Sequence, residues 1–590
     1  MSGRHAARLL PVLVVATVVL LPVPAQAGTL TVTKTADTND GACNADCSLR
    51  EAVIAANSVL GPDTILVPAG IYKFAIPGGG EDAGATGDLD IKSTVTIKGI
   101  GGTAVIKAEG IDRVMQVFPL GRVVLSRLWL TGGVTPGSES GGGIASSGQL
   151  TLMDTIVAGN RAPLNGVGGG IDNAGDGSLT LTDSVVSGNV AAGGGGIYFS
   201  GQGSLSLRRT VIAENSAENT GGIRMESGGT ASIVDSTFTA NSGLGGGGFA
   251  NYGAITNLTG SIFDDNSGIQ GGGLLNVGTI DRISGTTFAG NFGGHFGGGG
   301  LENFGTITIL ETSAFSGNET QGEGAGILNE GTMTLRNSTL SGNRAWEGGG
   351  GIWNQGTLTV MGVTVTANRA DTDFSNDPNG GGLFLAAGTL SIGNSIVAGN
   401  EDVDGTSHPD CSGTVTSNDH NLIGDLTGCT GFTGPHDDVG PVALQPLGRY
   451  GGSTDTHALP AGSTAINHGP SGGEGTDQRG VPRPQGAAFD TGAYERAFCS
   501  GLLVNVVGTQ GNDVLAGTPF ADGVLALGGA DTVRAGQGSD RACGGTGNDK
   551  LFGEAGNDTL LGEAGGDLLN GGPGVDQCVG GSGTDKLKSC

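Results

Sequence analysis

Nine aspartates stand at intervals of nine residues: Asp513, Asp522, Asp531, Asp540, Asp549, Asp558, Asp567, Asp576 and Asp585. Glycine crowds each of them. Two places beyond each lies a small or apolar residue, Leu515, Val524, Val533, Ala542, Leu551, Leu560, Leu569, Cys578 and Leu587 in turn. Carboxylates are hard oxygen donors, glycine-rich turns expose backbone carbonyls, and calcium takes six to eight oxygens of this kind. The chemistry within reach of these residues is therefore cation binding, with Ca2+ the fitting ion. Without an ion, carboxylates held in such a register repel one another.

The unit reads G-G-x-G-x-D-x-U-x and is similar to the calcium nonapeptide of RTX (hemolysin-type) proteins. The resemblance implies a parallel β-roll. The glycine half turns, the x-U-x half is a short strand, and the U side chain fills the core. Successive units form opposite turns, so each turn stacks on the turn two repeats away. Asp540 would then share an ion with Asp558, and Asp549 with Asp567; nine repeats less two allow at most seven such pairs. Asp522 is the weakest member, because Phe520 stands where the turn wants glycine. Asp531 is next, because Ala526 and Leu527 replace its leading glycines.

Other chemistry has thin support. A β-helix followed by RTX repeats also resembles mannuronan C5-epimerases, and β-helices host polysaccharide lyases. Those reactions need a base, a cation to neutralise a sugar carboxylate and a cationic groove. No lysine occurs between Lys107 and Lys550, and the epimerase motif YGFDPH is absent. The regular coils offer only His295 among histidines, and Tyr198 and Tyr252 among tyrosines. A facing carboxylate pair with an Arg or Tyr in one groove would favour an enzyme; a groove of Thr and Ser alone would favour a structural protein. His408, Cys411, His420, Cys429 and His436 form a set that zinc would accept, but in an oxidising compartment the cysteine pair reads as a disulfide. Trp346 and Trp353 read as local packing rather than a sugar platform.

The elements that must carry these residues are strands. A glycine cluster followed by an apolar residue recurs ten times, ending at Ile144, Ile171, Ile197, Ile223, Phe249, Leu274, Leu301, Ile327, Ile352 and Leu383. Between these markers apolar residues alternate with Thr and Ser, a strand period. A repeat of 25 to 27 residues built this way is one coil of a parallel β-helix with three short strands. Leu179 and Leu181 point in, Thr180 and Thr182 out. A row of asparagines (Asn160, Asn189, Asn215, Asn241, Asn266, Asn291, Asn318, Asn343, Asn368 and Asn400) should stack as an amide ladder, with asparagine taking the left-handed turn conformation. Six residues before it come Asp154, Asp183, Arg209 and Asp235, which places Arg209 between two aspartates on one face.

The N-terminus reads as a signal peptide. Arg4, His5 and Arg8 precede an apolar run, Leu9 to Leu21, too short to span a bilayer comfortably, and Ala25-Gln26-Ala27 is a cleavage site. Export permits disulfides. The eight cysteines are expected to pair as Cys43–Cys47, Cys411–Cys429, Cys499–Cys543 and Cys578–Cys590. With 120 glycines in 590 residues, the composition argues against a compact helical enzyme, and a formal charge of −28 argues against nucleic acid and anionic lipid as partners.

Ser48-Leu49-Arg50-Glu51 is a capping box that opens a short helix. Cys47-Ser48-Leu49-Arg50-Glu51-Ala52 resembles the signature of CSLREA-domain proteins. Asn421-Leu422-Ile423-Gly424 and the stretch from Thr476 to Glu495 resemble the choice-of-anchor Q family, and the GGGI and GN repeats resemble polymorphic outer-membrane and autotransporter-like β-helix proteins. These resemblances imply a right-handed parallel β-helix on an exported protein. The expected organisation is a signal peptide at 1–27, a capping segment at 28–63, the β-helix at 64–400, irregular last coils at 401–497 and the roll at 498–590. The expected role is a secreted or surface-displayed, non-enzymatic calcium-binding solenoid of adhesive type. It would hold calcium ions, meet an extracellular polysaccharide or cell-surface ligand, and have no membrane span after cleavage. An extracellular polysaccharide lyase or epimerase is the alternative.

Overall fold

A computed structural model describes residues 28–59, 61–163, 165–370, 380–403, 409–471 and 475–590. The expected signal peptide lies outside the described residues. The chain from 28 to about 440 is a parallel β-helix. Each coil lays its strands on those of the coils before and after it, in parallel: Leu179 pairs with Leu150 and Leu205, and Ile171 with Ile144 and Ile197. The alternation predicted for the strands holds, since Leu179 and Leu181 are fully buried.

A coil has four strand segments rather than three. In one coil these are Ile171–Asn173, Leu179–Thr182, Val185–Ser187 and Val190–Ala191. The second and third belong to one 28-stranded sheet; the first lies in a 14-stranded sheet and the last in a 9-stranded sheet. The corner that splits the large sheet is a column of residues with left-handed backbone, including Asp154, Asp183, Arg209 and Asp235 (φ +46 to +52°). This is the charged row expected from the spacing. Arg209 clasps Asp183 with two bonds, Nε to Oδ1 at 2.6 Å and Nη2 to Oδ2 at 2.7 Å. Asp235 acts on Arg209 through its charge, without a bond.

The asparagine row stacks as predicted. From Asn160 to Asn400 each Nδ2 donates to Oδ1 of the asparagine one coil on, at 2.8 to 3.1 Å. The same Oδ1 also accepts the backbone N–H of the asparagine one coil back, as Asn266 Oδ1 does from Asn241. The asparagines do not take the left-handed conformation expected of them. The preceding residue does, among them Gly188, Glu214, Ala240 and Asp265. That frees the amide to turn inward, where each is almost wholly buried. Below the ladder, Phe238, Phe263, Phe288 and Phe315 stack ring on ring, with centroids 4.5, 4.9 and 4.6 Å apart.

The helix Leu49–Ser58 caps the first coils. Its capping box is complete: Ser48 Oγ accepts from Glu51 N and Glu51 Oε2 from Ser48 N. Leu49, Ala52, Val53 and Ala56 are buried on the core. Arg50, fully buried, binds both oxygens of Asp37 and the carbonyls of Gly84, Thr86, Gly87 and Asp88.

Residues beyond about 440 run back along the outside of the coils. Thr454 Oγ1 donates to the Thr312 carbonyl, Thr339 Oγ1 to Gln478 Oε1, and Ala493 N to Thr364 Oγ1. Buried Arg479 lies over the Tyr494 ring at 3.7 Å and binds Asp477. The chain then enters a β-roll of two parallel sheets, of six and five strands, with one short antiparallel pairing at Phe498–Cys499. Val524, Val533, Ala542, Leu551, Leu560 and Leu569 fill its core; Leu587, at the open end, stays exposed. All four expected disulfides are formed.

Candidate calcium sites

The roll brings the repeat aspartates together two units apart. Asp540 N donates to Asp558 Oδ1 at 2.9 Å, and Asp549 N to Asp567 Oδ1 at 2.9 Å. The same bond joins Asp513 to Asp531, Asp522 to Asp540, Asp531 to Asp549, Asp558 to Asp576 and Asp567 to Asp585. One oxygen of each carboxylate from Asp531 to Asp585 is thereby used to set register. The other is left over. Among the described residues, Oδ2 of Asp531, Asp540, Asp549, Asp558 and Asp567 is buried without a hydrogen-bond partner. Native structures rarely leave such atoms unmatched.

Three of these oxygens, on Asp549, Asp558 and Asp567, face space that only glycine leaves open; at Asp531 and Asp540 the same turn position holds Ala526 and Ala535. A Cβ on Gly544 would lie 2.6 Å from Asp549 Oδ2 and 2.8 Å from the Gly562 carbonyl oxygen. Gly553 meets Asp558 Oδ2 and the Gly571 carbonyl in the same way, and Gly562 meets Asp567 Oδ2 and the Gly580 carbonyl. A carboxylate oxygen and a carbonyl oxygen from the turn two repeats on thus converge on one spot, the oxygen-only donor set suited to calcium. Burial pushes the Asp540 and Asp549 carboxyls up to about 6; the stacked aspartates on either side push the same way, and the amide bonds partly offset both. Asp531, Asp558 and Asp567 are raised as well, burial first.

The weaker units differ for a reason the sequence only half disclosed. Asp522 Oδ2 is taken by Thr518 N and Oγ1, and Asp513 Oδ2 by Thr509 N and Oγ1. A threonine in place of the second turn glycine satisfies the carboxylate from within. Asp531 keeps its free oxygen: Leu527, left-handed (φ +76°) like Gly545 in the unit two repeats on, brings no hydroxyl to it. Asp576 and Asp585 lie at the open end of the stack, where no later unit covers Asp585.

Elsewhere, the outward row of the 14-stranded sheet is not Thr and Ser alone. Asp172, Tyr198 and Arg224 stand in register on three neighbouring strands. Glu226 accepts Tyr198 Oη at 2.9 Å and Arg224 Nε at 2.6 Å, and the Arg224 guanidinium lies 4.5 Å from the centre of the Tyr252 ring. Burial, with Glu226 adding to it, pushes Tyr198 up to about 12. Of the suspected zinc set, Cys411 and Cys429 are bridged and His408 lies outside the described residues, whereas His420 and His436 come together. His295 is exposed in its turn and Trp353 is packed down.

Comparison with known proteins places the RTX calcium-binding nonapeptide repeat on this chain in four copies, over residues 507–542, 544–569 and 552–587. No curated protein matches the chain. Among solved structures, the chain is similar to pectate lyase Pel9A, at 15% identity and a TM-score of 0.28, over 80% of this chain and 96% of that one. It is also similar to the A-module of the mannuronan C-5 epimerase AlgE6 of Azotobacter vinelandii, at 13% identity and a TM-score of 0.29, over 69% of this chain and 97% of that one.

Proposed function

We propose that this chain, a β-helix continued by RTX calcium-binding repeats, is an exported structural or adhesive solenoid. In this reading its nonapeptide aspartates Asp513, Asp522, Asp531, Asp540, Asp549, Asp558, Asp567, Asp576 and Asp585 hold the ions. The observation that carries it is the set of buried carboxylate oxygens with no partner, three of which, on Asp549, Asp558 and Asp567, lie beside a glycine carbonyl from two repeats away. An ion supplies what they lack, and its binding energy becomes folding energy for a roll whose repeat buries only one modest side chain in nine residues. The four disulfides favour an oxidising, extracellular setting.

The Tyr198–Arg224–Glu226 group keeps the enzyme reading alive, since it combines a tyrosine, an arginine and a carboxylate on one face. Its electrostatics work against elimination chemistry. A tyrosine raised to about 12 is a poor base near neutral pH, and an arginine already bound to Glu226 is not free to neutralise a sugar carboxylate. The decisive experiment has two arms. Calorimetric calcium titration of the full chain should show uptake that Asp549→Ala reduces. Incubation with acidic and neutral polysaccharides should show binding without new chain ends. Cleavage abolished by Tyr198→Phe would move the assignment to the enzyme, and absence of calcium uptake would remove the solenoid reading.

A further inference from the structure

Near the last coils, Asp419, His420 and His436 bring one ligand atom each within 4.8 Å of one another. Every other donor on two of the three is already committed. Asp419 Oδ1 accepts the backbone N–H of His420 at 2.9 Å and of His436 at 2.7 Å, which leaves Oδ2. His420 Nδ1 lies 2.7 Å from the carbonyl oxygen of His468. A carbonyl only accepts, so Nδ1 carries the proton and Nε2 presents a lone pair. An imidazole fixed through its far nitrogen is the usual setting of a metal-binding histidine. The remaining atoms face one another: Asp419 Oδ2 is 2.8 Å from His436 Nδ1 and 3.9 Å from His420 Nε2.

We propose that Asp419 Oδ2, His420 Nε2 and His436 Nδ1 bind a divalent transition-metal ion of the zinc class. Ligands at about 2.0–2.2 Å in a tetrahedron lie about 3.3 Å apart, and the two distances here straddle that value. Two imidazoles and a carboxylate suit zinc and its neighbours and do not suit calcium, so the site is chemically separate from the roll. The two rings stack in parallel with centroids 4.5 Å apart, and both must tilt about their side-chain bonds to converge on an ion. His436 is 60% exposed, which gives it that freedom and leaves a coordination position for water. The ion would clamp the end of the helix. His420 reaches the returning segment through His468, whose own ring lies 3.0 Å from Asp438 Oδ2 in the last coil pairing.

The test is zinc uptake by the folded full chain in millimolar calcium, which keeps the roll supplied and makes the result independent of the calcium reading. One Zn2+ per chain is expected, and Co2+ in its place should give visible d–d absorption. Asp419→Asn, His420→Ala and His436→Ala should each weaken uptake by more than about tenfold, whereas His295→Ala, in an exposed turn, should not. His436→Ala is the safest of these for folding, because its side chain is the most exposed. Wild-type protein that takes up no Zn2+, or unchanged uptake in all three variants, overturns the site.

Discussion

Asp540→Asn should shift the stability of the roll in opposite directions with and without calcium. The amide keeps the oxygen that accepts from Asp522 N at 2.8 Å, so the register bond survives. What disappears is a buried charge flanked by Asp522 and Asp558. In the metal-free roll burial, then those neighbours, push Asp540 up to about 6 from 3.8. At 1.36 kcal/mol per unit that is about 3 kcal/mol, and screening at the roll surface reduces it to about 1–2 kcal/mol. The variant should gain that much in chelator. In calcium it loses a charged ligand from two shared sites, and a tenfold loss at each is about 3 kcal/mol. The pH sign follows from the same carboxyl. Between 3.8 and about 6 the folded roll holds more protons than the unfolded chain, so wild-type metal-free stability falls as pH rises through that window and stays low above it. Hydrogen exchange of peptides from 508–588 in the full chain, in chelator and in millimolar calcium at pH 4.5 and 7, reads all four states. Equal destabilisation in both solutions would refute the reasoning.

Calcium removal alone should strip protection from 508–588 while the coils between 64 and 400 keep theirs; equal loss in both would refute the contrast drawn between the two repeats. Asp558→Ala, in the middle of the stack, should lower calcium stoichiometry more than Asp513→Ala, whose free oxygen Thr509 already satisfies. Asn266→Ala should cost about 2–4 kcal/mol in denaturant unfolding, because it strands the Asn241 N–H and deprives the Phe238 carbonyl of its Nδ2 donor. Arg209→Ala should leave denaturant unfolding almost unchanged, since its bond to Asp183 is exposed, and a clear loss of stability would refute this reading.

The roll and the amide ladder were legible because both are strictly periodic: equal spacing in sequence becomes equal position in the coil. Local chemistry also sufficed for the Ser48–Glu51 box, whose partners are three residues apart. What escaped is set by distance in sequence or by backbone conformation. Arg50 meets Asp37 and the 84–88 turn through contacts that no local pattern encodes. The corner at Asp183 and Arg209 is a left-handed bend that aspartate tolerates better than most side chains and arginine does not, so the residue types mark it only in part. The histidines of the suspected zinc set were visible, but the partner that completes them, Asp419, differs from any other aspartate only in the fold.

The amide ladder has a direction. From amide to amide, every Nδ2 donates to the Oδ1 of the following coil, while its second hydrogen goes back to a backbone carbonyl of the preceding one, as Asn266 does with Asn291 and Phe238. At its start Asn160 Oδ1 needs only the N–H of Gly133. At its far end Asn400 donates both Nδ2 and backbone N–H to Asp410 Oδ1, and Asp410 Oδ2 takes the N–H of Asp425. A carboxylate accepts and does not donate, which makes it a terminator: it absorbs the forward donors and passes no side-chain donor on to a further asparagine. The middle of the solenoid is therefore modular. Duplicating or excising a whole coil would leave every rung with a donor and an acceptor, so the length of the shaft can change by unequal recombination without redesigning its interior, provided the aspartate at the end is carried along.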